Sequence, residues 1–301
     1  MDNQVMISLI GEQPIPNLLP IRHDRPQEVV LAHTVLTARV YERLKKLLKK
    51  IVHVHPLSVP PYDIAVFQQQ LSDLIKQNNW PATALSFNLT GGTKSMGFAA
   101  YELARHLNAP FLYFQSEGGQ SKLFRYDFRD GHAALMQEEI IPSVLSVDDY
   151  LRAFLNDYEP QGVSATPGGQ FEQAVVDFLD PALDECVAGV RHGNLEIDLV
   201  CRLANQVGVV EIKSGKRAQS KEGLDQLNTA ASREFLGTYT KKLLVIDRAW
   251  DKTSGGLREL AEAHSITIVE LPSYSQVGKI DEVEKQTAIA TVQRILGKRA
   301  A

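Results

Sequence analysis

The chain has 301 residues, 44% of them hydrophobic and 23% charged, with a formal net charge of −4. That composition fits a packed globular protein of one large or two ordinary domains and excludes a disordered chain. An acidic total also excludes a protein that coats nucleic acid by bulk positive charge, although a local basic groove remains compatible with it. No apolar run approaches the roughly 20 residues that span a bilayer. Val5–Ile10 is too short for a secretion signal and lacks its basic flank, so a cytoplasmic protein with no membrane partner is expected. The two cysteines, Cys186 and Cys201, form no C-x-x-C pair, which argues against a disulfide framework or a zinc knuckle.

In chain order, Val5–Ile10 predicts a buried strand and Glu28–His33 a second, followed by a helix over Leu36–Lys50. His53–Leu57 and Ile64–Asn78 repeat the strand–helix pair, as do Leu85–Leu89 and Lys94–Leu107, and Phe111–Phe114 adds a fifth strand. This rhythm implies an α/β fold with a mostly parallel, Rossmann-like sheet covered on both faces. Leu123–Phe128 reads as an added edge strand and Asp148–Tyr158 as a short helix. The stretch Glu159–Gly169, rich in Pro, Gly, Ser and Thr, is the expected boundary between a domain of residues 1–160 and one of residues 165–301. Beyond it the pattern predicts a helix over Gln170–Phe178, then strands over Cys186–Arg191, Glu196–Arg202 and Gly208–Ile212. A helix over Lys221–Phe235, strand Lys242–Ile246, helix Leu257–His264, strand Thr267–Leu271 and helix Asp281–Leu296 complete a mixed α/β sheet domain.

The second half carries a candidate chemical centre. Alternate residues of a strand share a face, so Glu211 projects with Lys213, and Glu196 with Asp198. A turn around Ala204–Gln206 joins the two strands, and pairing them can set Asp198 beside Glu211. Carboxylates embedded among Ile, Leu and Val are costly without a partner or a metal. Asp198 and Glu211 offer hard oxygen ligands to a divalent cation such as Mg2+ or Mn2+, which would activate a water and neutralise phosphoryl charge. A neighbouring lysine, Lys213, can orient or deprotonate that water or stabilise developing negative charge. Glu172, on the preceding helix, is a further candidate metal ligand. Gln226, on the following helix, is a candidate for placing substrate or water. Lys216, Arg217 and Lys221 follow the centre and could contact phosphates. The order of helical acid, strand Asp, Glu-x-Lys and helical Gln resembles the PD-(D/E)XK nuclease family over about residues 165–275. Ile197 stands where that motif usually has proline. The resemblance implies a restriction-endonuclease-like domain.

The first half carries a candidate ligand loop. Asn88-Leu89-Thr90-Gly91-Gly92-Thr93-Lys94-Ser95 joins a strand to a helix. Its glycines permit close backbone approach, the helix start favours an anion, and Thr90, Thr93, Lys94 and Ser95 add polar groups. Thr93 precedes the lysine where a phosphate-binding P-loop needs glycine, so this is not a P-loop. The first strand runs into Gly11-Glu12-Gln13-Pro14-Ile15-Pro16-Asn17, read as a loop. Both loops follow carboxyl ends of strands and should share a crevice. With Gly11, Gln13, Pro14, Ile15 and Asn17 on one side and Thr90, Gly91, Gly92, Thr93 and Lys94 on the other, residues 1–145 resemble the CARF domain of type III CRISPR ancillary proteins.

Joined to the second motif, the whole chain resembles a CARF–PD-(D/E)XK ancillary nuclease. That resemblance implies a homodimer binding one cyclic oligoadenylate, with cyclic tetra-adenylate the expected ring. It also implies metal-dependent cleavage of DNA, RNA or both in antiviral defence. Two alternatives stay open: a ring nuclease that degrades the cyclic oligoadenylate, and a nucleotide sensor without catalysis. His53 and His55 share a strand face, but with no carboxylate near them in the sequence they are a weak metal signal. Trp80 and Trp250 carry no assigned role.

Overall fold

The computed structural model describes residues 4–164, 167–251 and 254–297. Within these residues the chain splits into two compact units, one of residues up to 117 with 121–144, the other of residues from 145 onward with 118–120.

The first unit runs β1 (Val5–Leu9), α1 (Ile15–Asp24), β2 (Glu28–His33), α2 (Ala38–Leu48), β3 (His53–Ser58), α3 (Ile64–Gln77), β4 (Leu85–Asn88), α4 (Lys94–Leu107), β5 (Phe111–Glu117), β6 (Gln120–Arg129) and β7 (His132–Ile140). Its sheet has the order β3-β2-β1-β4-β5-β6-β7. The pairs β1–β2, β2–β3, β1–β4 and β4–β5 are parallel, and β6–β7 is antiparallel. The expected mixed α/β, Rossmann-like layer is therefore present. Every residue of β1 is buried, as a central strand covered on both faces requires. Val5, Ile7 and Leu9 pack with Phe67, Leu71, Met96 and Ala100 of α3 and α4. On the other face Ser8 meets α1, where its hydroxyl donates to Asn17 Oδ1 at 2.7 Å.

The segment expected as a loop to Asn17 is helical from Ile15. Its prolines hid the helix. Pro16 sits in the first turn, where a missing N–H costs nothing. Pro20 lies inside, and its missing N–H deprives the Pro16 carbonyl of a helical partner. Asn88 Nδ2 donates to that carbonyl at 2.9 Å and so repairs the helix from a neighbouring strand. Strand β7 was not expected. Most of its residues are exposed, so it shows no buried face to read.

The second unit runs α5 (Val147–Leu155), β8 (Glu159–Pro160), α6 (Pro167–Leu179), β9 (Glu185–His192), β10 (Leu195–Leu203), β11 (Gln206–Lys213), α7 (Glu222–Ala230), β12 (Lys241–Ile246), α8 (Gly255–Ala263), β13 (Ile266–Glu270), α9 (Pro272–Val277) and α10 (Glu282–Leu296). Its sheet has the order β13-β12-β11-β10-β9-β8, parallel from β11 to β13 and antiparallel from β8 to β11. Helices α6 and α10 cover one face through Phe171, Val175, Val292 and Leu296, packed on Leu199, Val210 and Leu243. Helix α5 starts at a capping box of Ser146 with Asp149 and belongs to this unit by compactness, whereas the boundary expected at residues 160–165 placed it with the first. Helix α7 stops at Ala230 rather than Phe235, because Leu236 turns back into the interior, its amide donating to Ala230 O at 3.1 Å. Cys186 and Cys201 face each other across β9 and β10 as free thiols. No helix among the described residues is long and apolar enough to cross a membrane.

Buried polar groups knit this unit together. Tyr150 of α5 places its hydroxyl 2.8 Å from Thr240 Oγ1 and donates to Leu236 O at 3.2 Å, while Thr240 Oγ1 donates to the same carbonyl at 2.6 Å. We predict that Tyr150→Phe lowers stability by about 1 kcal/mol, read as a lower urea midpoint with unchanged slope.

Candidate active site and ligand loop

The acidic centre follows from strand register. Pairing of Leu199 with Val210 in the antiparallel β10–β11 ladder leaves Asp198 opposite Glu211 at the open end of the hairpin. Glu211 and Lys213 then share the face of Asp198. The Asp198 carboxylate accepts from the Ile212 amide at 2.7 Å and lies 3.5 Å from Lys213 Nζ. Lys213 Nζ also donates to Glu211 Oε1. Glu211 and Lys213 are buried, and Asp198 is half-buried. Helix α7 packs against this face through Gly223. A Cβ there would lie 2.7 Å from Leu244 Cδ1 and 3.3 Å from Lys213 Cγ, so glycine allows the close approach.

Electrostatics follow from burial. Desolvation, reinforced by the Asp198 carboxylate, pushes Glu211 up to about 8 against the pull of Lys213. Burial works to lower the Lys213 pKa, but the carboxylates of Glu211 and Asp198 outweigh it and raise the group above its ordinary value. Glu172 on α6 is half-buried; desolvation, then Asp198, raises its carboxyl, while Lys213 opposes them. Two carboxyl groups thus meet one ammonium directly, with Glu172 acting on them through its charge, and burial beside Asp198 favours the protonated form of Glu211. This donor set fits a divalent cation, which would relieve the repulsion that now keeps Glu211 protonated.

The structure therefore gathers Asp198, Glu211 and Lys213 and sets Glu172 within electrostatic reach. Gln226 lines an open cleft with Glu196, Lys221, Glu222 and Asp225, and its Oε1 is buried without a partner among the described residues. Lys216 and Arg217 are exposed on a turn after β11, and Lys221 is exposed and 3.7 Å from Asp225. Two residues escaped sequence reasoning. Glu222, at the start of α7, adds to the charge that raises Lys213. Asp247, buried just after β12, accepts from the Gly215 amide at 2.8 Å and so anchors the turn that follows Lys213. A carboxylate one position beyond a parallel strand is a weak signal, and only the β11–β12 pairing makes it local.

The ligand loop lies at the switch point of the first sheet, where β1 neighbours β2 on one side and β4 on the other. The loops after β1 and β4 meet there. A Cβ on Gly11 would lie 3.2 Å from Gly92 N, and one on Gly91 would clash with the Leu9 carbonyl oxygen. Two of the expected ligand hydroxyls are occupied in holding the loop. Thr90 Oγ1 donates to Asn88 Oδ1 at 2.7 Å and accepts from the Phe114 amide at 2.8 Å. Thr93 caps α4, accepting from Met96 N at 3.2 Å, and donates to Pro61 O at 2.6 Å. Pro14, Ile15 and Asn17 are buried beneath the loop, with Asn17 bonded to Ser8; Gly11 and Gln13 are half-buried, and Gln13 Oε1 is buried without a partner among the described residues. Gly91 and Gly92 are half-buried, and Lys94 is exposed at the first turn of α4.

Residues 5–150 match the family model described as the Card1 CARF domain. That match and the Rossmann-like sheet support a CARF-containing protein. Among solved structures, the chain is similar to Can2 from Sulfobacillus thermosulfidooxidans in complex with cyclic tetra-adenylate, at 16% identity and a TM-score of 0.73, covering 97% of each chain. It is similar to protein VC1899 from Vibrio cholerae, at 13% identity and a TM-score of 0.72, covering 98% of this chain and 99% of that one. It is also similar to a type III CRISPR defence DNA nuclease activated by cyclic oligoadenylate, at 18% identity and a TM-score of 0.62, covering 82% of this chain and 46% of that one. At these identities the likeness is one of fold. No curated protein matches the chain.

The raised Glu211 pKa has a signed consequence. Its folded value, about 8, lies above the ordinary 4.5. The folded state therefore binds the extra proton, and its contribution to stability is complete below the ordinary range and lost as pH rises through about 8. We predict that the protein in chelator loses thermal stability between pH 5 and pH 8.5 (about the window of this shift). Glu211→Gln should flatten that slope, and an equal slope in the variant would contradict the assignment.

Proposed function

We propose that the protein is a metal-dependent nuclease of the PD-(D/E)XK type, activated by cyclic oligoadenylate in type III CRISPR defence. The observation that carries this reading is the convergence of Asp198, Glu211 and Lys213 on one face of β10 and β11. The CARF match supports the sensing half, and the similar structures, one in complex with cyclic tetra-adenylate and one a DNA nuclease activated by cyclic oligoadenylate, agree with both halves.

In this reading Asp198 and Glu211 hold Mg2+ or Mn2+, with Glu172 supporting from α6. The ion, when bound, supplies a Lewis acid for a phosphoryl oxygen. Asp198 keeps its orientation through the Ile212 amide. Lys213, released from its carboxylate partners, carries a proton to or from the attacking water, or offsets charge on the phosphoryl group. Gln226 directs substrate or water from the cleft beside α7. Cleavage acts on DNA, RNA or both.

In the first unit the amides around Gly91 and Gly92, with Lys94, receive a phosphate of the activator, and Gly11 keeps the facing loop clear. Cyclic tetra-adenylate suits a homodimer, since a symmetric ring meets one set of donors from each subunit. It activates only to the extent that it binds the active arrangement better than the resting one.

Cleavage of single-stranded RNA, single-stranded DNA and supercoiled plasmid tests this, with and without cyclic tetra- and hexa-adenylate, in Mg2+ or Mn2+. Lys213→Ala is expected to lower activated cleavage at least about 100-fold while binding activator as the wild type does; undiminished cleavage would sink the site assignment. Ring consumption without nucleic-acid cleavage would favour the ring nuclease, and binding without either would favour a sensor. Conversely, Gly91→Ala is expected to weaken activator binding in calorimetry at least about tenfold, because the added methyl must displace the loop from Leu9.

A further inference from the structure

A second set of ligating side chains lies where β2 and the edge strand β3 begin, at the amino ends of the strands, whereas the ligand loop follows the carboxyl ends of the central β1 and β4. Glu28 and His53 begin the parallel neighbours β2 and β3 and are direct register partners, while Val30 pairs with His55. Alternation puts His53 and His55 on one face, and Glu28 shares it. The carboxylate that the local sequence lacks is therefore delivered by a strand about 25 residues earlier, across a crossover.

One ligand atom from each of Glu28, His53 and His55 can be chosen so that all three lie within 4.8 Å of one another. His55 Nε2 is 2.6 Å from Glu28 Oε2. The other carboxylate oxygen accepts from Trp80 Nε1 at 3.0 Å, and the Trp80 ring stands edge-on to His55 with centroids 4.9 Å apart. The His53 and His55 rings are 4.5 Å apart and nearly perpendicular. His53 is exposed, and no described residue hydrogen-bonds its ring nitrogens. It is thus free to swing inward and leaves a solvent side open.

We propose that Glu28, His53 and His55 bind a Zn2+-class transition-metal ion. Two imidazoles and one carboxylate, with water as fourth ligand, suit Zn2+, Co2+ or Ni2+ at bond lengths of about 2.0–2.2 Å. Mg2+ demands oxygen ligands and is disfavoured by the same set. The indole of Trp80 supplies the outer hydrogen bond that orients a ligating carboxylate. Because β3 is the sheet's edge strand, with the His53 and Val59 amides donating toward β2 and Pro56 turned to the open side, the ion would add a side-chain tie between β2 and an edge strand held from one side only.

The test uses the full chain, stripped with chelator and then given excess Mg2+ to fill the acidic centre, with Co2+ as the probe. The wild type should take up one equivalent with the strong visible absorption of low-coordinate cobalt. Asp198→Ala should keep that band. His53→Ala removes only an exposed side chain and should keep its circular dichroism while binding Co2+ at least about tenfold more weakly, as should Glu28→Gln. Absence of the band in the wild type, or equal binding by His53→Ala, would overturn the site. Loss of the band only in Asp198→Ala would assign the cobalt to the other unit and overturn it equally.

Discussion

The hairpin register of β10 and β11 is the constraint on which the second unit's chemistry depends. A strand has a side-chain period of two, so a slip of one residue would send Asp198 to the opposite face from Glu211 and Lys213. The apolar partners prevent it. Leu199 and Val210 lie in the core with Phe171 and Val175, and exchanging their face for that of the charged residues would expose this core and bury charge in its place. The hydrophobic effect therefore places the carboxylates; Asp198 returns a cross-strand bond to the Ile212 amide, whereas the burial of Glu211 carries a cost. Burying Glu211 beside Asp198 is unfavourable, as its raised pKa records. Such a cost, retained in a fully packed strand, is what a site for a cation or a reacting phosphate requires.

The first unit solves a different problem. Its two loops must approach closely enough for glycine backbone to meet a ligand, yet they need a rigid base. A continuous polar network supplies it. Asn88 Nδ2 bonds Ser8 Oγ at 3.1 Å and the Pro16 carbonyl at 2.9 Å, while its Oδ1 accepts from the Thr90 amide and hydroxyl. One side chain thus joins β1, α1, β4 and the ligand loop. Satisfied buried networks of this kind specify a unique arrangement, because breaking any member strands another in a low dielectric. The threonine hydroxyls that look like ligand donors are part of this scaffold, which leaves backbone amides, the Ser95 hydroxyl and Lys94 to meet an anion.

Legibility in the sequence tracked the range of the interactions. Strands β1, β2, β4, β10 and β11 were readable because burial on one or both faces writes a periodic or continuous apolar pattern. The triad Asp198, Glu211 and Lys213 was readable because a hairpin brings near neighbours together. Helix α1 was not, since Pro14, Pro16 and Pro20 advertise a loop and the compensating donor, Asn88, lies 72 residues from Pro16. Strand β7 was not, since it has almost no buried face. The distinction between a ligand hydroxyl and a scaffolding one at Thr90 was equally invisible, because it is decided by the Phe114 amide on β5. Glu222, Asp247 and the approach of Glu28 to His53 all depend on packing or parallel pairing across a crossover.

The two proposed ion sites differ in a way that bears on how one chain could hold both without confusion. The cluster of Asp198, Glu211 and Glu172 offers oxygen only and has an ammonium in its midst, so an ion must compete with Lys213 and displace the proton on Glu211. Weak, oxygen-only coordination of this kind suits an abundant hard cation held partly by its substrate's phosphates. The Glu28, His53 and His55 set offers two neutral nitrogens and one carboxylate, and ligand type rather than raw affinity sorts metals between such sites. With no histidine in the acidic cluster, softer, tighter-binding ions would favour the Glu28, His53 and His55 set over a centre that, in the proposed reading, needs fast exchange of product. If both sites hold ions, the separation of donor types between them would itself act as a selectivity device.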